Sequence, residues 1–285
     1  MRLRACEWLL AVYFAYVALI SPAFPLASWI TPWLIALLVP LLFALLARGE
    51  HKAFHIARDW LAVSMVLVAY REMDLFSATP RDLLLEHRWV EWDRAILYRG
   101  GLQQAIESLG AAVPMYLELS YLFVYAVAPF VVATLYVQRQ LKRVDGALFL
   151  YLLGTLAAYA LFPFFPSDPP RVAFGASDLP NVTTPLRELN LWLVGNYGIH
   201  SSVFPSAHVS SAFSAAWALL AHLPERRRFG WGMLVYAVSV AVATVYGRYH
   251  YAADAVAGLA VSLVPVLTVL LGLLRLPRGG LPGSP

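Results

Sequence analysis

The chain has 285 residues, 60% of them hydrophobic and only 13% charged, about half the charged fraction of an ordinary soluble domain. That balance excludes a soluble globular protein and predicts an integral membrane protein. The formal net charge of +4 does not point to nucleic acid, because the basic residues fall in clusters between apolar runs, and Cys6 as the only cysteine excludes an intramolecular disulfide or a thiolate metal site.

The start, MRLR followed by WLLAVYFAYVALI, has the outline of a signal peptide. No charged residue occurs from Trp8 to Ala47, however, and SPAFP lies near the middle of that stretch. Residues 1–50 therefore read as a retained transmembrane hairpin. Apolar segments long enough for membrane helices are predicted over 7–23, 29–47, 57–72, 112–137, 146–165, 207–222, 229–246 and 251–274. Arg58 and Asp59 make the third ambiguous, since an interfacial helix would also carry them.

Loop charge resolves the third segment. Basic residues gather at Arg2 and Arg4, at Arg48, Lys52 and Arg58, at Arg139, Lys142 and Arg143, at Arg226 to Arg228, and at Arg275 and Arg278. The positive-inside rule puts all five groups in the cytoplasm. Two successive cytoplasmic loops need an even number of crossings between them, so 57–72 spans if 112–137 does. The expected fold is all-α and polytopic, with about eight transmembrane helices: the hairpin and a six-helix core over 51–275, followed by a short cytoplasmic tail, 276–285. Segment 73–111 is then external, and its apolar stripe through Leu84, Trp89, Trp92, Ile96 and Leu97 predicts a helix lying on the outer leaflet. Segment 166–206 is external too, with one short helical piece, LRELNLWLVG.

Three polar groupings reach this outer face. In HSSVFPSAHV, residues 200–209, Pro205 sits near the first turn of the sixth helix and His208 one turn deeper. Free N–H groups there favour an anion, although ordinary helix initiation and close packing account for the same residues. In YGRYHYAADAVAG, residues 246–258, His250 and Asp254 are four apart on one helical face. A carboxylate there can hold one imidazole nitrogen and leave the other free for nucleophilic or base chemistry; a satisfied pair in a packing seam is the plain structural alternative. In FPFFPSDPPRVAF, residues 162–174, Arg171 follows two stiffening prolines and suits a phosphate as well as it suits snorkelling at the headgroup boundary. Their arrival on one face from three elements makes a phosphate-handling site at the outer leaflet the leading expectation. Glu118, inside the fourth helix, is a further candidate, either for a substrate hydroxyl or for pairing with an arginine.

Pro205-Ser206-Ala207-His208 and His250 to Asp254 resemble the second and third motifs, P-S-G-H and H-x-x-x-D, of the type 2 phosphatidic acid phosphatase superfamily. The first motif departs from the pattern: Phe164 stands at the lysine spacing before Arg171, and the proline precedes the arginine. Ala243-Thr244 replace the usual Ser-Arg opening of the third motif. These departures, with RDWLAVSMVLVAYRE and EWDRAILYRGGLQQ, resemble the inositolphosphotransferase branch that includes inositol phosphorylceramide synthases, over roughly residues 55 to 265.

The resemblance implies a lipid-phosphatase-like core in which His250 attacks phosphorus to form a phosphohistidine, Asp254 orients it, and His208 acts as acid and then base. It implies phosphate contacts from Arg171, Ser206 and, in place of the missing motif arginine, Arg248. Low-ranking substrate contacts are Glu118 and His200. No cofactor and no metal are required, although His200, His208, His250 and Asp254 form a conceivable zinc set. The expected partners are a phospholipid or lipid phosphate, the bilayer, and an inositol or hydroxylated lipid acceptor. The expected site is periplasmic or lumenal. Hydrolysis of a lipid phosphate uses the same residues and stays open, as does a non-catalytic lipid-binding or transport role, against which His208, His250 and Asp254 speak.

Overall fold

The computed structural model describes residues 3–26, 28–77 and 83–272, and contains only helices, turns and loops among them. Arg2, Arg275, Arg278, the end of the segment predicted to 274 and the tail 276–285 lie outside the described residues. In chain order the helices are α1 Ala5–Ile20, α2 Ile30–Leu46, α3 Lys52–Met73, α4 Leu84–Arg94, α5 Leu102–Glu107, α6 Ala112–Leu122, α7 Val127–Val137, α8 Val144–Leu161, α9 Pro170–Ala173, α10 Pro185–Tyr197, α11 Ala207–His222, α12 Arg228–Tyr246 and α13 Ala252–Leu270.

Six segments among the described residues are long and apolar enough to cross a membrane: Ala5–Ala23, Lys52–Phe76, Ala112–Val137, Leu141–Phe164, Arg228–Tyr246 and Ala252–Leu270. Every one coincides with a segment expected from the sequence. The other two expected spans, α2 and α11, have 17 and 16 residues, short of the roughly 20 a bilayer asks for. In α2 the exposed Leu37, Leu38, Leu41 and Leu45 present an apolar outer face. α11 is different, because it is the central helix, packed against α8, α12 and α13.

Small residues explain that central place. Ser210, Ala212, Ser214, Ala215, Ala216 and Ala218 on α11 are completely buried, and such side chains let backbones approach closely without a hydrophobic driving force. The Ser210 hydroxyl donates to the Gly154 carbonyl of α8 at 2.8 Å. A Cβ on Gly258 of α13 would run into the Ser206 carbonyl, so glycine there lets α13 lie against the start of α11.

The span 112–137 is two helices joined by a 3-10 turn, Phe123–Ala126. Pro129 lies just beyond it; without an N–H it cannot bond the Tyr125 carbonyl, and its ring crowds that carbonyl, which breaks the ladder there.

The helix expected on the outer leaflet is also more protein-bound than its apolar stripe suggests. Trp92 and Ile96 face outward, whereas Trp89, Val90, Leu97, Glu86 and Asp93 are buried. Asp93 draws α4 inward: its carboxylate accepts from Arg248 and from the Ala252 amide at the start of α13.

At the other end of the bundle, buried charges fasten α1 to the core. Arg58 bonds both oxygens of the fully buried Glu7, through Nε and Nη2 at 2.6 Å. Arg4 reaches Asp59, which also accepts from the Tyr136 hydroxyl, and Asp145 of α8 accepts the Ala5 and Cys6 amides at the start of α1.

Candidate active site

The end that carries the two histidines is assembled by three backbone ties. The Ser206 amide donates to the Asp254 carbonyl at 2.9 Å, which joins the start of α11 to the start of α13. The Arg171 amide donates to the Arg248 carbonyl at 3.2 Å, which brings α9 onto the turn between α12 and α13. The Tyr249 and His250 amides both donate to the Thr244 carbonyl, which folds that turn back over the end of α12.

Within this frame His250 Nδ1 lies 2.9 Å from the Val203 carbonyl and 3.3 Å from Asp254 Oδ2. Both neighbours are acceptors, so Nδ1 carries the proton and Nε2 presents its lone pair. That lone pair faces His208 Nδ1 at 3.4 Å. Asp254 is held in turn by the Tyr251 amide, which donates to Oδ2 at 2.9 Å. Burial, with the Arg171 charge beside it, pushes the His250 imidazole down to about 3 despite the pull of the Val203 carbonyl. At neutral pH it is therefore a free base.

Arg171 lies over the Tyr249 ring, 5.5 Å from its centroid, with Nη1 at 3.5 Å from the Tyr249 carbonyl. His208 stacks on Tyr121 at 5.0 Å and meets Tyr125 edge-on at 5.9 Å. A cavity of about 310 Å³ opens between α3, α7, α8 and α11, and His208 lines it together with Val63, Leu67, Val124, Ala128 and Tyr159.

The fold thus brings Arg171, His208, His250 and Asp254 together, and it gives the remaining candidates other partners. Ser206 is the N-cap of α11, its buried hydroxyl accepting the Val209 amide at 3.4 Å. Pro205 precedes that cap and lies outside the helix. Arg248 is 1% exposed, with Nη1 2.5 Å from Asp93 and Nη2 3.5 Å from Asp178. Glu118 takes the arginine alternative: it accepts from Arg187 Nη1 at 2.9 Å, from Asn190 at 2.8 Å and from the Tyr249 hydroxyl at 2.6 Å. His200 is largely exposed and bonds Asp74. The zinc set does not form, because His200 is placed there, and among the described residues no three His, Cys, Asp or Glu side chains gather as metal ligands.

Within HSSVFPSAHV, Ser202 has a local duty, while the buried Ser201 hydroxyl finds no partner among the described residues. Ser202 Oγ donates to the Phe165 carbonyl and accepts the Phe204 amide, while Ser167 accepts the Val203 amide. These bonds pin the strand of loop whose Val203 carbonyl orients His250. Sequence reasoning passed over Tyr121, Tyr249, Arg187 and Asn190. A signal for the last two existed: they are polar and three apart in LRELNLWLVG, hence on one face of α10.

A family model described as the PAP2 superfamily matches residues 90–268, more than half of the chain. No curated protein and no solved structure matches it. The matched region contains the whole His208–His250–Asp254 arrangement, and the chain belongs to the PAP2 superfamily, a membership that supports a phosphatase- or phosphotransferase-type activity on lipids.

Proposed function

We propose that this protein transfers a phosphorylated lipid headgroup to an alcohol acceptor, in the manner of an inositol phosphorylceramide synthase, through a phosphohistidine on His250. The observation that carries the reading is the His250 lone pair, oriented from behind by Asp254 and facing His208, which lines a cavity between membrane-spanning helices. In this proposal the lipid tail enters that cavity and its phosphate meets Arg171, which offers a planar pair of donors.

Nε2 of His250 attacks phosphorus, the bond to the leaving oxygen breaks, and His208, which takes up a proton once the negative phosphate sits beside it, gives that oxygen its proton. In the second half His208 takes the proton of the acceptor hydroxyl, whose oxygen displaces His250 from phosphorus. Attack needs nitrogen about 3–3.5 Å from phosphorus, and proton transfer needs His208 about 2.6–3.2 Å from the leaving oxygen. The 3.4 Å gap between the imidazoles is too narrow for both, so the pair parts when substrate enters. Arg248 and Ser206 support the turn and the helix start in this scheme.

Two features favour an alcohol over water as acceptor: Phe164 at the motif lysine spacing, and the burial of His250 and Asp254, 5% and 0% exposed, which limits water at the intermediate. The site faces the periplasm or lumen in this proposal, because Arg4, Arg58, Lys142 and Arg143 lie at the opposite ends of α1, α3 and α8. The test incubates purified protein with a panel of phospholipids, with and without inositol and hydroxylated lipids. New phospholipid products support transfer; free phosphate or headgroup alone contradicts it and leaves a hydrolase.

A further inference from the structure

The turn that carries His250 is held in an unfavourable shape. Arg248 has φ +62°, a left-handed conformation that is unfavourable for a side-chain-bearing residue and persists only where surroundings over-determine it. Three arginines supply part of that restraint: Arg248 through Asp93, Arg171 through the Arg248 and Tyr249 carbonyls, and Arg187 through the Gly247 carbonyl at 3.2 Å.

Tyr249 is where these restraints meet the two histidines. Its ring stacks on Tyr121 with centroids 3.8 Å apart and planes 11° apart, and Tyr121 in turn stacks on His208. The guanidinium groups of Arg171 and Arg187 lie 5.5 and 5.9 Å from its ring centroid. Its hydroxyl donates to Glu118, which also holds Arg187 and Asn190. Glu118 and Tyr121 are three residues apart on α6, so one helical face grips both the hydroxyl and the ring. Glu118, Arg187, Asn190 and Tyr249 are all essentially buried; Glu118 accepts from the other three, while Arg187 Nη2 and Asn190 Oδ1 find no partner among the described residues.

We infer that Tyr249 is a positioning residue: anchored by Glu118 and stacked on the Tyr121 ring that carries His208, it holds His250 and Arg171 in place and sets the plane along which His208 moves. This rests on the phosphotransfer reading above. The pair must part around a phosphorus and close again, and the stack gives His208 a flat surface on which to move while His250 stays fixed. The lost motif lysine is then offset by placement of the groups that remain.

The experiment compares wild type with Tyr249→Phe, Tyr249→Leu and the packing control Ile106→Ala in purified full-length protein, using short-chain phosphatidate as donor and inositol as acceptor. Thermal midpoint, KM, kcat and the pH dependence of kcat/KM are measured together. Tyr249→Leu is expected to lower kcat on the order of 10²-fold, the effect of about 1 Å of misplacement, with little change in KM. Its acidic limb moves to higher pH as water reaches His250 among His208, Asp254 and Arg171. Tyr249→Phe keeps the stack and falls between Tyr249→Leu and wild type. Ile106→Ala, in the same apolar cluster, lowers the thermal midpoint and leaves kcat and the pH limb in place. A folded Tyr249→Leu with wild-type kcat and pH limb, or an Ile106→Ala that matches it in every readout, overturns the positioning role alone. A wild type inert towards every lipid phosphate overturns the phosphotransfer reading and this inference with it.

Discussion

Nδ1 of His208 lies 3.4 Å from Nε2 of His250, although the two residues are 42 apart in the chain. The contact exists because the Ser206 amide is bonded to the Asp254 carbonyl, which fixes the start of one helix against the start of another. The chemistry follows from a hydrogen bond that involves neither imidazole.

Arg171 is the one expected phosphate contact that stands beside the histidines without a carboxylate partner of its own in the hydrogen bonds described. A lysine there keeps the charge and loses the planar fork. Arg171→Lys should raise the inhibition constant for vanadate about 10- to 100-fold, the value of one charged hydrogen bond of about 1.5–3 kcal/mol. A chelator should leave turnover unchanged. An Arg171→Lys enzyme with wild-type vanadate affinity contradicts the assignment.

Protonation of His250 opposes folding. The unfolded imidazole takes its proton near 6.5 and the buried one only near 3, so the unfolded state binds more protons across that window and stability falls as pH drops through it. The thermal midpoint in detergent should therefore decline from pH 6.5 towards pH 3 more steeply for wild type than for His250→Gln. Parallel declines contradict the placement of this group.

The cavity sets a test of chain length. Ala128, 6% exposed, lines it, and Ala128→Phe fills space meant for a tail. KM for a long-chain lipid phosphate should rise several-fold, in line with the roughly 0.8 kcal/mol carried by each displaced methylene, while KM for a short-chain analogue stays within twofold. Equal effects on both contradict a tail in that space.

Glu7 and Arg58 form a buried ion pair with Nη2–Oε2 at 2.6 Å. Glu7→Gln removes the carboxylate charge that Arg58 and Arg4 share and should cost about 3–5 kcal/mol, whereas Glu7→Leu with Arg58→Met should recover part of it. Thermal denaturation of the two variants reads this; a single variant as stable as wild type contradicts it.

The fold was largely legible because membrane spans follow from apolar length and loop charge, and both are local properties of the sequence. Its departures have particular causes: Pro129 breaks one span, and Asp93 pulls α4 onto the protein. The site was legible in part. His208, His250 and Asp254 are brought together because their spacing at two helix starts is visible in the chain. Arg248 carried the right charge for a phosphate, but nothing in its neighbours showed that Asp93, 155 positions away, binds it. The role of Glu118 was likewise set by Arg187, Asn190 and Tyr249 from two distant segments. Long-range pairing of polar groups leaves no local period to read.

The central claim is a covalent phosphohistidine on His250. Purified protein is mixed with phosphatidate carrying a labelled phosphorus, quenched in alkali within one turnover, digested, and its peptides are located by mass spectrometry. The account predicts label on His250, label that forms and decays more slowly in His208→Gln because both half-reactions lose their proton carrier, and none in His250→Ala. Turnover by His250→Ala at the wild-type rate, with no label on any wild-type peptide, would contradict it.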